Sequence, residues 1–129
     1  MKSILLIFTF ITSLYIGAAG AEEITIPLGI PKLPDARLAI SNAYDTAGGD
    51  RHEWTARFGT KTSREKVIAF YRSALEEAGF KIYSSSDKDA YYMIAAKRND
   101  DRVTIYYKNT SDWVEAGEGE LSIKAVYNK

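Results

Sequence analysis

The side chains with which this chain could do chemistry are one histidine, 17 carboxylates and nine tyrosines; cysteine is absent. That absence excludes a thiolate nucleophile, a disulfide, an Fe–S cluster and a cysteine zinc site. A single imidazole also leaves little for a histidine-based metal centre. His52 would need a carboxylate or hydroxyl within hydrogen-bond reach to act as a base. Glu53 is its sequence neighbour, so on a strand it points to the opposite side. His52 therefore reads as a strand-end imidazole beside Tyr or Trp. Asp87 with Asp89, and Asn99-Asp100-Asp101, lack the spacing of a calcium loop and fit turn chemistry. Asp112, Glu115, Glu118 and Glu120, with Gly117 and Gly119 among them, read as a solvated loop without coordination spacing. No G-x-S-x-G, H-E-x-x-H or glycine-rich phosphate loop occurs. The expectation is a protein with no catalytic residue, no metal and no cofactor.

Tyrosine and arginine carry a different chemistry. They combine apolar area with a polar tip, which interfaces favour. Alternation along the strands places Arg57, Tyr83, Tyr92, Ile94, Arg98, Tyr106, Lys124 and Val126 on one sheet face, away from the helix. Trp113 and Val114, in a long loop, are a second candidate. The competing reading is that the tyrosines stiffen a solvated sheet through cross-strand pairs. Tyr91-Tyr92 leaves the register of its strand open, because both parities there are apolar.

The elements that must position these residues follow from periodicity. Residues 22–36 hold all three prolines and five large aliphatics (Ile24, Ile26, Leu28, Ile30, Leu33). They predict an extended, helix-free arm laid along the domain. From Arg37 the period is two, with Leu38, Ile40 and Tyr44 sharing a parity. After a turn at 45–50, Arg51 to Thr60 alternates again, with His52, Trp54, Ala56 and Phe58 inward and Arg57 outward. Thr62 and Glu65 form a capping box. Val67, Phe70, Tyr71, Ala74, Leu75 and Ala78 then make one apolar stripe, and Gly79 supplies a left-handed cap, predicting a helix over 62–79. Four strands follow. The first is Phe80–Tyr83, ending in a polar turn at 84–89. The others are Tyr91–Arg98, Arg102–Lys108 and Leu121–Tyr127. The fold class is therefore α+β, in two layers: a curved antiparallel sheet of about six strands, in the order β-β-α-β-β-β-β, gripping one long helix. Residues 37–129 form a single domain.

Residues 1–21 have the layout of a secretory signal peptide: Lys2, an apolar run from Ile4 to Ile16, and Ala19-Gly20-Ala21 before Glu22. The alternative is an uncleaved anchor, for which the apolar run is short. Cleavage leaves 16 Lys and Arg against 17 Asp and Glu. Without a basic excess there is no electrostatic case for nucleic acid, and no further span is expected in the membrane.

Ile30-Pro31-Lys32-Leu33-Pro34-Asp35-Ala36 resembles the I-P-x-Y-P-G-A opening of small exported bacterial proteins of unknown function. Leu33 replaces the aromatic and Asp35 the glycine. Val67-Ile68-Ala69-Phe70-Tyr71-Arg72-Ser73-Ala74-Leu75-Glu76-Glu77-Ala78-Gly79-Phe80 resembles their V-x-x-F-Y-x-x-x-L-x-x-A-G-W helix. It is also similar to the helix-grip domains of outer-membrane-assembly lipoproteins. The resemblance implies a binding module, not an enzyme. The expected function is thus a periplasmic or secreted interaction module that meets a protein partner or its own copy through the tyrosine face. An envelope glycan is a further occupant of that face. The alternative is a carrier of a small apolar ligand, held in a cavity between helix and sheet.

Overall fold

The computed structural model describes residues 24–46 and 49–128; the expected signal segment lies outside them. Six strands and one helix follow in the order β1 (Arg37–Asp45), β2 (Arg51–Thr60), α1 (Arg64–Glu77), β3 (Lys81–Asp87), β4 (Tyr91–Arg98), β5 (Asp101–Lys108) and β6 (Gly119–Asn128). All pair antiparallel in one open curved sheet, ordered β1-β2-β6-β5-β4-β3. The first hairpin and the β3–β4–β5 meander are therefore joined only by β6, which lies between β2 and β5.

The helix packs over β3, β4 and β5. Its stripe of Val67, Tyr71, Ala74 and Leu75 is buried. The core behind it holds Trp54 and Phe58 of β2, Ile94 of β4, Val103 and Ile105 of β5, and Leu121 and Ile123 of β6. Ile26, Ile30, Leu33 and Ala36 belong to the same core. The 24–36 arm thus covers sheet that the helix leaves. It is not extended throughout. Pro27–Gly29 form one tight turn with Leu28 and Gly29 both at positive φ. Tyr71 fastens the arm to the helix, accepting from the Leu33 N–H and donating to the Pro31 carbonyl, both at 3.0 Å.

The helix ends differ from the sequence expectation at the start and match it at the finish. Ser63, not Thr62, is the N-cap, accepting from the Lys66 N–H at 3.4 Å. Thr62 is engaged elsewhere: its hydroxyl and that of Thr60 donate to Asp35, which also accepts from the Lys61 N–H. At the other end Gly79 (φ 86) lets Phe80 N–H reach Leu75 C=O and Gly79 N–H reach Glu76 C=O, the Schellman arrangement.

Two bulges change the strand faces. In β1 the register shifts between Leu38 and Ile40, because two residues oppose one across the ladder. Leu38 faces the core, but Ile40 and Tyr44 pair with Arg57 and Glu53 and face away from it, against the single parity expected. In β3 the shift lies between Ile82 and Ser84. The serine run expected as a turn is instead strand, paired with β4 along an edge where polar side chains suit solvent.

Candidate binding site on the outer face of the sheet

The sheet face turned away from helix and arm carries a pocket of about 490 Å³, lined by Ile40, Asn42, Thr55, Arg57, Tyr106, Lys108, Trp113, Glu120, Ser122 and Lys124 among others. The register explains the set. Ile40, Arg57, Ser122 and Tyr106 form one cross-strand row, and Asn42, Thr55 and Lys124 the next. The 109–118 loop folds back over these rows. Its Trp113 lies with the Arg57 guanidinium 5.1 Å from the ring centroid, a cation–π contact that closes one wall.

Glu120 is the hinge of this arrangement. It is 1% exposed, and each carboxylate oxygen has a partner. Ser122 donates to Oε2 at 2.6 Å, Ser111 donates to Oε1, and Arg57 Nη1 stands 3.8 Å from Oε2. The Ser111 hydroxyl in turn accepts from the Trp113 N–H at 3.0 Å. A buried carboxylate thus fixes the serine that fixes the tryptophan. Glu118 secures the other end of the loop, accepting from Arg37 at 2.6 Å and from the Glu115 N–H at 3.0 Å. The Arg37 hydrogen bond holds its carboxyl below the usual carboxylate value, with the Glu115 backbone helping. Lys124 pairs with Glu53 at 3.4 Å, and Glu53 also accepts from Tyr44 at 2.6 Å.

Of the residues expected on this face, Arg57, Tyr106 and Lys124 meet in the pocket, and Trp113 joins them from the loop. Val114 is half-buried beside it but is not a lining residue. Tyr83 is on the same face at the far edge, 5.7 Å from the Lys97 ammonium. Tyr92, Ile94 and Arg98 are corrected to the helix side. Tyr92 pairs with buried Tyr107, and its hydroxyl accepts from Arg72 of the helix at 2.6 and 3.1 Å. Arg98 lies over the Phe80 ring and donates to the Ala78 carbonyl at 2.7 Å, closing the negative end of the helix. With two adjacent tyrosines the sequence left this register open. The helix settled it by offering Arg72 as a partner to the buried phenol.

Ile40 and Asn42, with Glu120, Thr55, Lys108 and Ser122, line the pocket but were not among the expected site residues. The bulge hid the first two. Glu120 was grouped with an acidic loop, although its alternation with Leu121 and Ile123 places it at the start of a strand.

The other candidates resolve locally. His52 sits 2.9 Å from Asp45 across the hairpin, and its ring is 5.4 Å from Tyr127. Both partners of that ion pair are exposed, and neither lines the pocket. Arg64 gathers the 87–91 turn, donating to Asp87 and to the Lys88, Asp89 and Tyr91 carbonyls. Among the described residues no three His, Asp or Glu side chains come together as a metal site would require.

No curated protein and no solved structure matches the chain. A family model described as START domain-like matches residues 40–118, from the β1 bulge through the helix to the end of the Trp113 loop. This family fits a helix-grip-like fold and the character of a ligand-binding or interaction module. The match covers well over half of the 129 residues, and the chain belongs to the START domain-like family.

Proposed function

We infer that this is an exported, non-catalytic binding module whose working surface is the outer sheet face. The observation that carries the reading is the pocket closed by Trp113 over Arg57, with Tyr106 and Lys124 in its floor. Cationic, aromatic and hydroxyl groups converge there in a concave site, which is the usual form of a ligand pocket. The residues best suited to acid–base chemistry, His52 and Asp45, stand apart at the hairpin end, so recognition is favoured over catalysis. Export rests on residues 1–21, and the likeness of the arm and helix motifs to small exported bacterial proteins supports an envelope setting. Mass spectrometry of the chain recovered from cells should give a mature start at Glu22; an intact Met1 in the membrane fraction overturns cleavage in favour of an uncleaved anchor.

The two tryptophans report on the two rival surfaces. Trp54 is 8% exposed on the helix side, and Trp113 is 48% exposed on the outer face. Trp54→Phe and Trp113→Phe variants, titrated with a panel of fatty acids, aromatic acids, glycans and short peptides, separate them. A ligand read through Trp113 supports the outer-face site. Ligands read only through Trp54 overturn it in favour of a carrier with its cavity between helix and sheet. A second copy of the chain is the remaining occupant. It predicts a concentration-dependent mass by light scattering that Tyr106→Glu abolishes.

A further inference from the structure

We propose that the outer pocket selects a small aromatic carboxylate, a refinement that rests on the outer-face reading above. Three cationic side chains line the pocket: Arg57, Lys108 and Lys124. Against them stand Glu120 in the wall and Glu53 at the margin, paired with Lys124. The sum favours a negative guest. Glu120 keeps its charge although its oxygens accept from Ser111 and Ser122, and it offsets Arg57, 3.8 Å away, as Glu53 offsets Lys124; the surplus positive charge rests on Lys108. Lys108 lies opposite Glu120 across the β5–β6 ladder, is exposed, and makes no ion pair among the described residues. Its ammonium is free to take an anionic oxygen. A partly walled site strengthens such attraction, since low-dielectric walls focus the field.

The apolar part of the guest follows from the other lining groups. Trp113 and Tyr106 present rings, and Ile40 adds one branched aliphatic side chain. Rings prefer offset or edge contact with another ring. About 490 Å³ suits a compact small molecule rather than an extended chain. Asn42 and Thr55 supply an amide and a hydroxyl beside the charges, able to hold a second carboxylate oxygen, while the Ser122 hydroxyl, already donating to Glu120, can only accept from a ring substituent.

Three isosteric probes test the charge: 2-naphthoate, neutral 2-naphthamide and cationic 2-naphthylmethylammonium. The readout is the pair of indole N–H resonances of the isotope-labelled chain, assigned with Trp113→Phe. The expected result is that naphthoate shifts the Trp113 resonance and binds about tenfold tighter than the amide, the factor contributed by one hydrogen bond to a charged group. The ammonium should bind weakest. Lys108→Gln and Lys124→Gln, both at exposed side chains, should weaken naphthoate more than they weaken the amide; an equal loss for both overturns the carboxylate preference. Equal binding of all three at Trp113 overturns the carboxylate preference and leaves the outer-face site standing. No response at Trp113 to any probe overturns the aromatic class, while the ligand panel decides the outer-face site separately. A shift confined to Trp54 overturns both.

Discussion

Gly119 and Gly59 sit where a β-carbon has no room, yet for different reasons. A β-carbon at Gly119 would lie 2.2 Å from the Tyr107 hydroxyl and 2.5 Å from its ring. The ring is buried and cannot swing aside. Gly119→Ala should therefore cost about 1–3 kcal/mol in urea unfolding, the usual penalty of overpacking. At Gly59 the obstacle is the tip of Glu118, 2.2 Å away. That side chain can rotate, so Gly59→Ala should cost less stability while breaking the Arg37–Glu118 pair. Tyr71 shows the complementary case of a buried polar tip fully used. Tyr71→Phe leaves the Leu33 N–H and Pro31 carbonyl without it and should cost about 1–3 kcal/mol. Burial pushes the Tyr71 hydroxyl far above its ordinary value of 10.0. A phenol raised in the folded state contributes stability below its unfolded value, so unfolding should become easier as pH climbs above 10.0. Tyr71→Phe should flatten that alkaline limb.

Among the elements, the helix was the most legible and the edge strands the least. Three- and four-residue spacing located Val67, Tyr71 and Leu75, and Gly79 marked the stop. The start was displaced by one residue because Thr62 was drawn to Asp35, a contact across the arm that local spacing does not encode. The pocket was half legible for a similar reason. Arg57, Tyr106 and Lys124 lie on regular strands, where alternation places them. Ile40 and Asn42 follow a bulge, which reverses parity without any proline or glycine to announce it. Tyr92 and Arg98 were misplaced because the helix, through Arg72 and the Ala78 carbonyl, offered partners that strand periodicity does not show. Asp35 ties arm, β2 and helix start together. Partial burial opposes its ionisation, but hydrogen bonds from Thr60, Thr62 and the Lys61 N–H outweigh this and hold its carboxyl below 3.8. Its contribution is present above 3.8 and is lost as pH falls through the lower folded value. Asp35→Asn should remove that part of the acid transition, seen as a flatter dependence of unfolding midpoint on pH. Ser63→Ala should cost about 1 kcal/mol as a lost cap.

On the scale of the whole molecule, the arm completes the core. Leu33→Ala should cost about 2–5 kcal/mol, the range for large-to-small changes in a core, and Trp54 emission should move to the red as water gains access. The sheet is open, with β1 and β3 at its edges, and each carries a bulge. Bulged edges resist pairing with other strands. The START domain-like match accounts for the helix and the strands it grips; the arm lies outside the matched residues 40–118, as does β6. That last strand has a temporal meaning as well. It is the piece inserted between β2 and β5, so a nascent chain emerging from the ribosome has a hairpin and a meander with no seam between them. The sheet closes only once residues 119–128 have been delivered, and such distant pairings form slowly. Truncation before Gly119 would therefore leave β2 and β5 each with an unpaired edge, and the two parts of the sheet with no strand to unite them.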